Sequence, residues 1–191
     1  METIHIIAGV CLGIGLAAAV GFRVFLPLLF LSLAGFYEVI PLNESWQWVG
    51  SLTAIVVLGI ATVIEIAGYY IPWVDNALDT IAVPLATIAG TLAVAATVGD
   101  LDPVITWALA IIAGGGTAAA ISGTSSAVRL TSSATTGGIA NPVVSTVETA
   151  TASVFSVLAI FIPILAGVLV VLLFFFVFRY YKKRRQKAAI E

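Results

Sequence analysis

Long apolar segments separated by short polar links make up most of the chain, and they predict membrane-spanning helices. Stretches such as "LTAIVVLGIATVI" and "ILAGVLVVLLFFFVF" show no alternation of apolar and polar residues. A transmembrane helix needs about 20 apolar residues, and a backbone in lipid satisfies its own hydrogen bonds only in helices or in a closed barrel. Barrel strands would alternate in segments of about ten residues. The pattern therefore predicts an all-α, polytopic bundle with five or six crossings.

The first apolar run, from about residue 4 to residue 36, is too long for one straight span. As a continuous helix it would be about 50 Å long, against a hydrocarbon thickness of about 30 Å. Gly21 and Pro27 stand on either side of Arg23 in this run. A proline inside a helix removes a hydrogen bond and bends the helix. We therefore predict a break near Arg23, with Pro27 contributing to it.

Aromatic residues and turn signals divide the rest of the chain. Trp and Tyr are enriched at membrane interfaces, so we expect Trp46 and Trp48 to open a second helix that closes near Tyr69. The third helix is predicted from about residue 77 to residue 98, after a turn at Pro72. The runs 104–134 and 142–178 are again over-long. Asn141 and Pro142 mark the turn between them, and Pro163 is expected to divide the second.

The chain shows signs of a weak, inverted internal repeat. "AAAVGFRVFLP" has an echo in "SGTSSAVRLTSSA", and "IPWVDNALD" has an echo in "NPVVSTVE". We therefore predict one transmembrane domain, residues 1–180, built from pseudo-repeats at about 4–98 and 103–178. In this alignment Arg23 corresponds to Arg129, and Asp79 corresponds to Glu148. Repeats built around interrupted helices are typical of transporters, which bind substrate at the repeat interface.

Composition and charge placement support this interpretation. Hydrophobic residues make up 61% of the 191 residues and charged residues only 9%, whereas a soluble domain has about 25% charged residues. Six of the eight basic residues lie in "RYYKKRRQK". The positive-inside rule then places a basic tail, residues 181–191, in the cytoplasm. Lipid headgroups are a better partner for this tail than nucleic acid.

The sequence indicates no enzyme, metal site or cofactor. Cys11 and His5 are the only residues of their types, which excludes an intrachain disulfide and a cluster of cysteine and histidine ligands. The run "GGGTAAA" lacks the lysine of a phosphate-binding loop, and no G-x-S-x-G motif occurs. The start "METIHIIAGV" has no early Lys or Arg, so we expect a retained helix and not a signal peptide.

Arg23 and Arg129 are the first candidates for function. Burying a cation at bilayer depth costs at least about 2.5–3.5 kcal/mol, so we expect the two arginines to share acidic partners. They either lock helices together or contact an anion or substrate in a wet cavity. The sequence around Arg129 is rich in hydroxyls, which line water paths or bond across helices at about 0.6 kcal/mol each.

Four acids complete the candidate site: Glu65, Asp75, Asp79 and Glu148. Glu65 is one turn before Tyr69, so we expect it near the interface and solvated. Asp75 and Asp79 share a helix face and fit a helix cap or first turn, while Ser145 and Glu148 fit a capping box. The alternative hypothesis is that Asp79 or Glu148 titrates during function, because burial and a neighbouring arginine act on a carboxylate in opposite directions.

Four blocks of sequence resemble a family of bacterial integral membrane proteins, domain of unknown function 4126. They are "AAAVGFRVFLPLL", "IPWVDNALDTIAVPLAT" followed by "GTLAVAA", "AVRLTSSA" and "NPVVSTVETA". They match its pattern of G-[LF]-R-x-F-L-P, then I-P-x-x-D-x-x-x-D, then an arginine helix, then a turn ending in S-x-x-E. The resemblance implies a multi-pass protein of the bacterial inner membrane and specifies no substrate.

The function expected from the sequence is a small transporter or channel for an ion or small solute. In this hypothesis the carboxylates carry protons or cations, and the arginines hold anions or balance charge. Two alternatives stay open at this point. One is a structural or assembly protein whose polar network only fixes helix packing. The other is a lipid-handling protein, such as a scramblase. Whether the chain forms a homo-oligomer is also open.

Overall fold

The computed structural model of the chain describes residues 2–99 and 101–188, and every regular element in that part is helical. This confirms the predicted all-α class. The α-helices in chain order are α1 (Glu2–Val20), α2 (Phe25–Phe36), α3 (Leu52–Gly68), α4 (Pro72–Thr97), α5 (Pro103–Leu109), α6 (Gly116–Thr136), α7 (Asn141–Phe161) and α8 (Pro163–Ala188). A 3₁₀ helix, Glu44–Gly50, precedes α3, and a π-helical stretch, Ala110–Gly115, joins α5 to α6.

Several of these helices are suited to cross a membrane. Among the described residues, four helices are long and apolar enough: Trp73–Thr97, Pro103–Thr136, Asn141–Phe161 and Pro163–Tyr180. The 3₁₀ helix and α3 meet at 62° and add a fifth span if they are counted as one. Because α1 and α2 are apolar but shorter, the predicted count of five or six crossings stays a prediction.

The first apolar run forms a helical hairpin. Helix α1 ends at Val20 and α2 begins at Phe25, so Arg23 lies in the link between them, where a break was predicted. Pro27 does not cause this break, contrary to expectation. It lies in the first turn of α2, where a missing N–H leaves no hydrogen bond unmade. Gly21 lets the link approach α6, because a Cβ there would overlap Ile121.

Other element boundaries differ modestly from the predicted ones. Helix α4 begins at Pro72 and not near residue 77, since proline is favoured in a first helical turn. Trp46 and Trp48 lie in the 3₁₀ helix ahead of α3. Helices α7 and α8 divide at Pro163, as expected. The predicted basic tail continues α8 to residue 188, and its last part, 189–191, lies outside the described residues.

Small residues let the central helices approach closely, as is common in membrane bundles. Helix α1 contributes Ala17, helix α4 contributes Ala93, and helix α6 contributes Ala118, all of them fully buried. A Cβ on Gly114 of the π-helical stretch would overlap the carbonyl oxygen of Gly90 on α4. This tight packing surrounds α1 and α4 and fixes the position of the polar residues at their ends.

The two ends of the bundle are each named after a residue that lies there. The Tyr70 end is where α4 and α7 begin and where α1 and α6 finish. The His5 end is where α1 begins and where α4 and α7 finish. Arg23 occupies a link between two helices, whereas Arg129 lies inside α6. The two predicted repeats therefore differ in local structure, and the repeat itself stays a prediction.

Candidate functional site

Two arginines and three carboxylates from different elements meet near the Tyr70 end, and we call this group the charged cluster. It consists of Arg23, Asp75, Asp79, Arg129 and Glu148. Arg129 is at its centre and is 2% exposed. Its Nη1 donates to Asp75 Oδ1 at 2.5 Å, and its Nε and Nη2 both donate to the Glu148 carboxylate. The Oδ1 of Asp79 lies 3.8 Å from Arg129 Nε.

Arg23 contacts the same carboxylate. Its Nη2 lies 3.3 Å from Glu148 Oε2 and donates to the backbone carbonyl of Ser145 at 2.9 Å. The Ser145 hydroxyl and Thr149 Oγ1 accept further hydrogen bonds from the guanidinium. Both arginines therefore contact Glu148, which is the sharing of acids predicted for two buried cations. Among the described residues, the buried Nη1 of Arg23 has no hydrogen-bond partner.

Tyr69 contacts both guanidinium groups, and the sequence did not identify this role. The guanidinium carbons of Arg23 and Arg129 lie 4.0 and 4.1 Å from the centre of its ring. Stacking of a cation on an aromatic ring stabilises it by about 0.5–2 kcal/mol. The ring thus stabilises both buried cations of the charged cluster. The available signal in the sequence was a tyrosine that follows Glu65 by one helical turn and comes shortly before Asp75. This tyrosine was interpreted as an interfacial residue.

Glu65 has a structural contact that corrects the sequence-based expectation. It is 5% exposed and not solvated at the interface. Its two carboxylate oxygens accept hydrogen bonds from the backbone N–H groups of Val24 and Phe25 at 2.7 and 3.0 Å. These N–H groups begin α2 and have no partner within the helix. The Glu65 carboxylate therefore caps α2 from α3 and holds the Arg23 link in place.

The side-chain caps predicted for the other acids are not formed, although Asp75 does lie in the first turn of its helix, as expected. Ile71 precedes α4 and Ala140 precedes α7, and neither helix start has a side-chain cap. Asp75 lies in the first turn of α4, but its carboxylate binds Arg129 and the Nδ2 of Asn141. Asp79 follows Pro72 by seven residues, so it lies beyond the helix start.

Glu148 likewise follows Asn141, the first residue of α7, by seven residues, and the S-x-x-E sequence is inside the helix. Arg129 precedes the end of α6, at Thr136, by seven residues. At 1.5 Å per residue each of these positions is about 10 Å from the end of its helix. The charged cluster therefore lies nearer the Tyr70 end than the middle of the bundle.

Neighbouring polar groups complete the site. Ser125 of α6 donates to Glu148, and Asn141 Nδ2 donates to Asp75 Oδ2 at 2.8 Å and to Ser133 Oγ at 3.0 Å. The Oδ1 of Asn141 is buried and has no partner among the described residues. Several other hydroxyls of α6 bond only to carbonyls of their own helix; these are Thr124, Thr131 and Thr135.

Cavities adjoin the charged cluster on two sides. A small one of about 10 Å³ lies against Asp79, Arg129 and Glu148 and is close to the minimum for one water molecule. A larger one of about 210 Å³ lies at the Tyr70 end and is lined by Asp75 and Asn141, together with Tyr69, Tyr70, Asn76, Ser133, Gly137, Gly138 and Pro142. Tyr69 lines both cavities.

Further cavities lie at the other end of the bundle and at its side. One has a volume of about 540 Å³ and lies at the His5 end, where His5, Asn43, Glu44 and Thr97 provide polar groups. Another is an apolar lateral groove of about 210 Å³ between α3 and α4, with Glu65 and Tyr69 in its lining.

The charges of the site do not balance. Arg23 and Arg129 provide two positive charges, whereas Glu65, Asp75, Asp79 and Glu148 provide four negative ones if all are ionised. Buried charge without compensation is strongly unfavourable. The arrangement can therefore bind positive charge. In the described part of the chain, no group of His, Cys, Asp or Glu is arranged to hold a metal ion.

Comparison with known proteins identifies the family of the chain. The family model of a domain of unknown function, DUF4126, matches residues 10–183. This range includes both arginines and all four acids, and the chain belongs to this family. No curated protein and no solved structure matches it.

Proposed function

We propose that this member of the DUF4126 family is a small transporter or channel that moves an ion or small solute across the bacterial inner membrane. One observation carries the proposal: a buried charged cluster lies between two cavities that open at opposite ends of a helical bundle. We assign the chain no enzymatic reaction and no cofactor.

The spacing of the two end cavities fits a bilayer. Asn76 of α4 lines the cavity at the Tyr70 end, and Thr97 of the same helix lines the cavity at the His5 end. These residues are 21 positions apart, which corresponds to about 32 Å along a helix axis. The hydrocarbon core of a bilayer is about 30 Å thick. This spacing supports a position of the two cavities on opposite sides of the membrane.

The conformation favours a transporter over an open channel. Between the charged cluster and the His5 end lie packed apolar side chains, including Val20, Ala86, Ala89 and Ala118, all buried. In this conformation the site adjoins the cavity at the Tyr70 end and has this apolar packing on its other side. Movement of a solute would require the packing around α1 and α4 to open, as in alternating access.

The basic tail supplies the orientation. Val170 and Phe174 of α8 pack near Ala18 and Phe22, so α8 runs toward the Tyr70 end. The positive-inside rule then places the C-terminus, and with it the charged cluster, on the cytoplasmic side. A fluorescent protein fused at the C-terminus should therefore be bright, and a fused periplasmic phosphatase should be inactive. An active phosphatase would reverse the assignment.

Two alternatives each have an observation in their favour. The lateral groove between α3 and α4 has exposed apolar walls, such as Ile64 and Ile81, and adjoins Glu65. A polar site next to a lipid-facing groove favours lipid handling. The dense pairing of Arg129 with Asp75 and Glu148 favours a structural role. Transport accounts better for the excess of acids, because a purely structural network gains nothing from uncompensated charge.

Flux measurements in proteoliposomes test the proposal. Purified protein would be challenged with ion gradients and small solutes, and lipid scrambling would be measured in the same vesicles. Arg129→Lys keeps a cation but loses the planar fork that joins Asp75 to Glu148. Thr131→Ala is the matched control on α6, since its hydroxyl is exposed and bonds only its own helix.

We expect flux with the wild-type protein, a strong reduction in Arg129→Lys and no change in Thr131→Ala. Scrambling without ion or solute flux would assign lipid handling instead. The absence of both activities from well-folded protein would assign the structural role.

A further inference from the structure

We propose that the species bound and moved by the site is the proton, and that Asp79 is the group that accepts it. This inference rests on the proposed transport function and names its substrate class. It is drawn from the contacts of the four acids, from the size of the space beside Asp79 and from unpartnered polar atoms along one route to the site.

The excess of acids creates the need for positive charge. With both arginines charged, two of the four carboxylates lack a cation. Glu65 lies outside the charged cluster and has its own donors, because the backbone N–H groups of Val24 and Phe25 donate to it. The remaining imbalance falls on the charged cluster itself, which has three acids and two arginines. One added proton would make the charged cluster neutral.

Asp79 is the acid with the weakest compensation. Asp75 accepts hydrogen bonds from Arg129 and Asn141, and Glu148 accepts them from Arg129 and Ser125. In the described structure Asp79 accepts no hydrogen bond, and its one ion pair is the 3.8 Å contact with Arg129 Nε. That Nε donates to Glu148 instead. Protonation of Asp79 therefore breaks fewer contacts than protonation of any other acid in the site.

Charged and titratable groups face Asp79 from every surrounding element. They are Arg129 of α6, Glu148 of α7, Arg23 of the link before α2, Asp75 of its own helix and Tyr69 before α4. Glu65 of α3 lines the same small cavity. The two neighbouring acids of the cluster disfavour a third negative charge, whereas the arginines are already engaged with those acids. Asp79 is therefore the acid of the charged cluster to which we assign the added proton.

The space beside Asp79 selects for a very small species. The cavity that Asp79 shares with Ser122, Ser125 and Ser126 has about 10 Å³, enough for one water molecule at most. A hydrated metal ion or an organic solute does not fit without rearrangement of the helices. A proton requires only an oxygen atom that delivers it. The side chain of Asp79 is 14% exposed, against 3% for Asp75 and 6% for Glu148.

A route to the site starts at the Tyr70 end. The cavity of about 210 Å³ there is lined by Asp75, Asn141 and Ser133. The unpartnered Oδ1 of Asn141 is buried in a residue only 5% exposed. Buried polar atoms of this kind bind ordered water in most proteins. Water bound there would bring protons close to the small cavity beside Asp79, because the side chain of Tyr69 lines both cavities.

The transfer itself is simple. A hydronium ion in the cavity loses an O–H bond, the Asp79 carboxylate gains one and becomes a neutral carboxylic acid, and a water molecule is left. Arg129 stays paired with Asp75 and Glu148 throughout. The charged cluster then has no net charge, which lowers the cost of any motion that carries it away from water.

Proton flux in proteoliposomes tests the inference. A potassium diffusion potential set by valinomycin would drive protons, and a trapped pH-sensitive dye would report them. Asp79→Asn removes the acid at nearly constant shape. Asp102→Asn is the matched control, because Asp102 is exposed outside the site and caps α5 through a side-chain oxygen that asparagine also has. Asp79→Glu keeps a titratable group should Asp79→Asn fail to fold.

We expect wild-type protein, Asp102→Asn and Asp79→Glu to conduct protons, and Asp79→Asn to fall to the level of protein-free vesicles. Infrared difference spectra should show the carbonyl stretch of a protonated carboxylic acid in the wild type and lose it in Asp79→Asn. Flux of another ion or solute without protons would overturn this inference and leave the proposed function standing. Wild-type proton flux in Asp79→Asn would overturn the role of Asp79. No flux of any species would overturn both.

Discussion

Replacing Glu148 with glutamine should destabilise the protein strongly, because this carboxylate is the contact shared by both arginines. It accepts hydrogen bonds from Arg129 and Ser125 and lies 3.3 Å from Arg23. Glutamine has the same shape, but its amide nitrogen cannot accept, so an N–H of Arg129 would face another N–H. Removing one partner of a buried ion pair costs about 3–5 kcal/mol.

The loss is measurable as a shift in thermal unfolding. A chain of this length changes its melting temperature by about 2–4 °C per kcal/mol, so Glu148→Gln should lower it by about 6–20 °C in detergent. Glu44→Gln, at an exposed position of the 3₁₀ helix, is the control, and a surface substitution should stay within about 0.5 kcal/mol. The capping interpretation predicts a loss near 1 kcal/mol. A shift of only a few degrees would therefore refute the shared contact.

A double variant separates the ion pair from general damage. Arg23→Leu alone leaves Glu148 with one arginine, and Glu148→Gln alone leaves Arg23 without its carboxylate. The two together remove both charges of the 3.3 Å pair. Their combined loss of stability should be smaller than the sum of the single losses, by about 0.5–3 kcal/mol. Simple additivity would show that Arg23 and Glu148 do not interact.

Further variants test the surroundings of the site. Tyr69→Phe should keep the stacking of both guanidinium groups and Tyr69→Leu should lose it, with a difference of about 1–4 kcal/mol in unfolding free energy for two contacts. Glu65→Ala should leave the first N–H groups of α2 without a cap and cost about 0.5–2 kcal/mol, seen as faster hydrogen exchange at Val24 and Phe25. Gly114→Ala should destabilise the bundle by about 1–3 kcal/mol through overlap with α4. Gly59→Ala, where the added methyl meets no atom, should stabilise α3 by up to about 1 kcal/mol in the same melting assay.

The parts of this site that could be predicted from the sequence depend on single residues or on residues that are neighbours in the chain. A buried arginine is costly wherever it lies, so the presence of Arg23 and Arg129 in apolar runs was enough to predict acidic partners. The break at Arg23 followed from the length of its run. The preference of proline for the first helical turn is local too, and applying it to Pro72 would have corrected the predicted start near residue 77.

Other features depend on contacts between elements that are distant in sequence. Tyr69 contacts two guanidinium groups only because α3 ends where the Arg23 link and α6 meet. Glu65 caps a helix that begins 40 residues before it, and a capping signal is recognisable in sequence only when both partners are neighbours. The S-x-x-E pattern at Glu148 failed for a related reason. It matches a helix start, but α7 had already begun at Asn141.

Replacing one residue of the charged cluster, Asp79, should abolish transport and leave the stability of the protein nearly unchanged. If the network existed only for packing, each acid would matter in proportion to its contacts, and Asp79 would matter least for every measured property. If the site moves protons, the acid with the fewest contacts is the one that must change its charge. An acid that accepts hydrogen bonds from several donors is stabilised in its ionised form. The combination of a nearly unchanged melting temperature and abolished proton flux in Asp79→Asn, set against the large loss of stability in Glu148→Gln, follows from transport and from neither alternative.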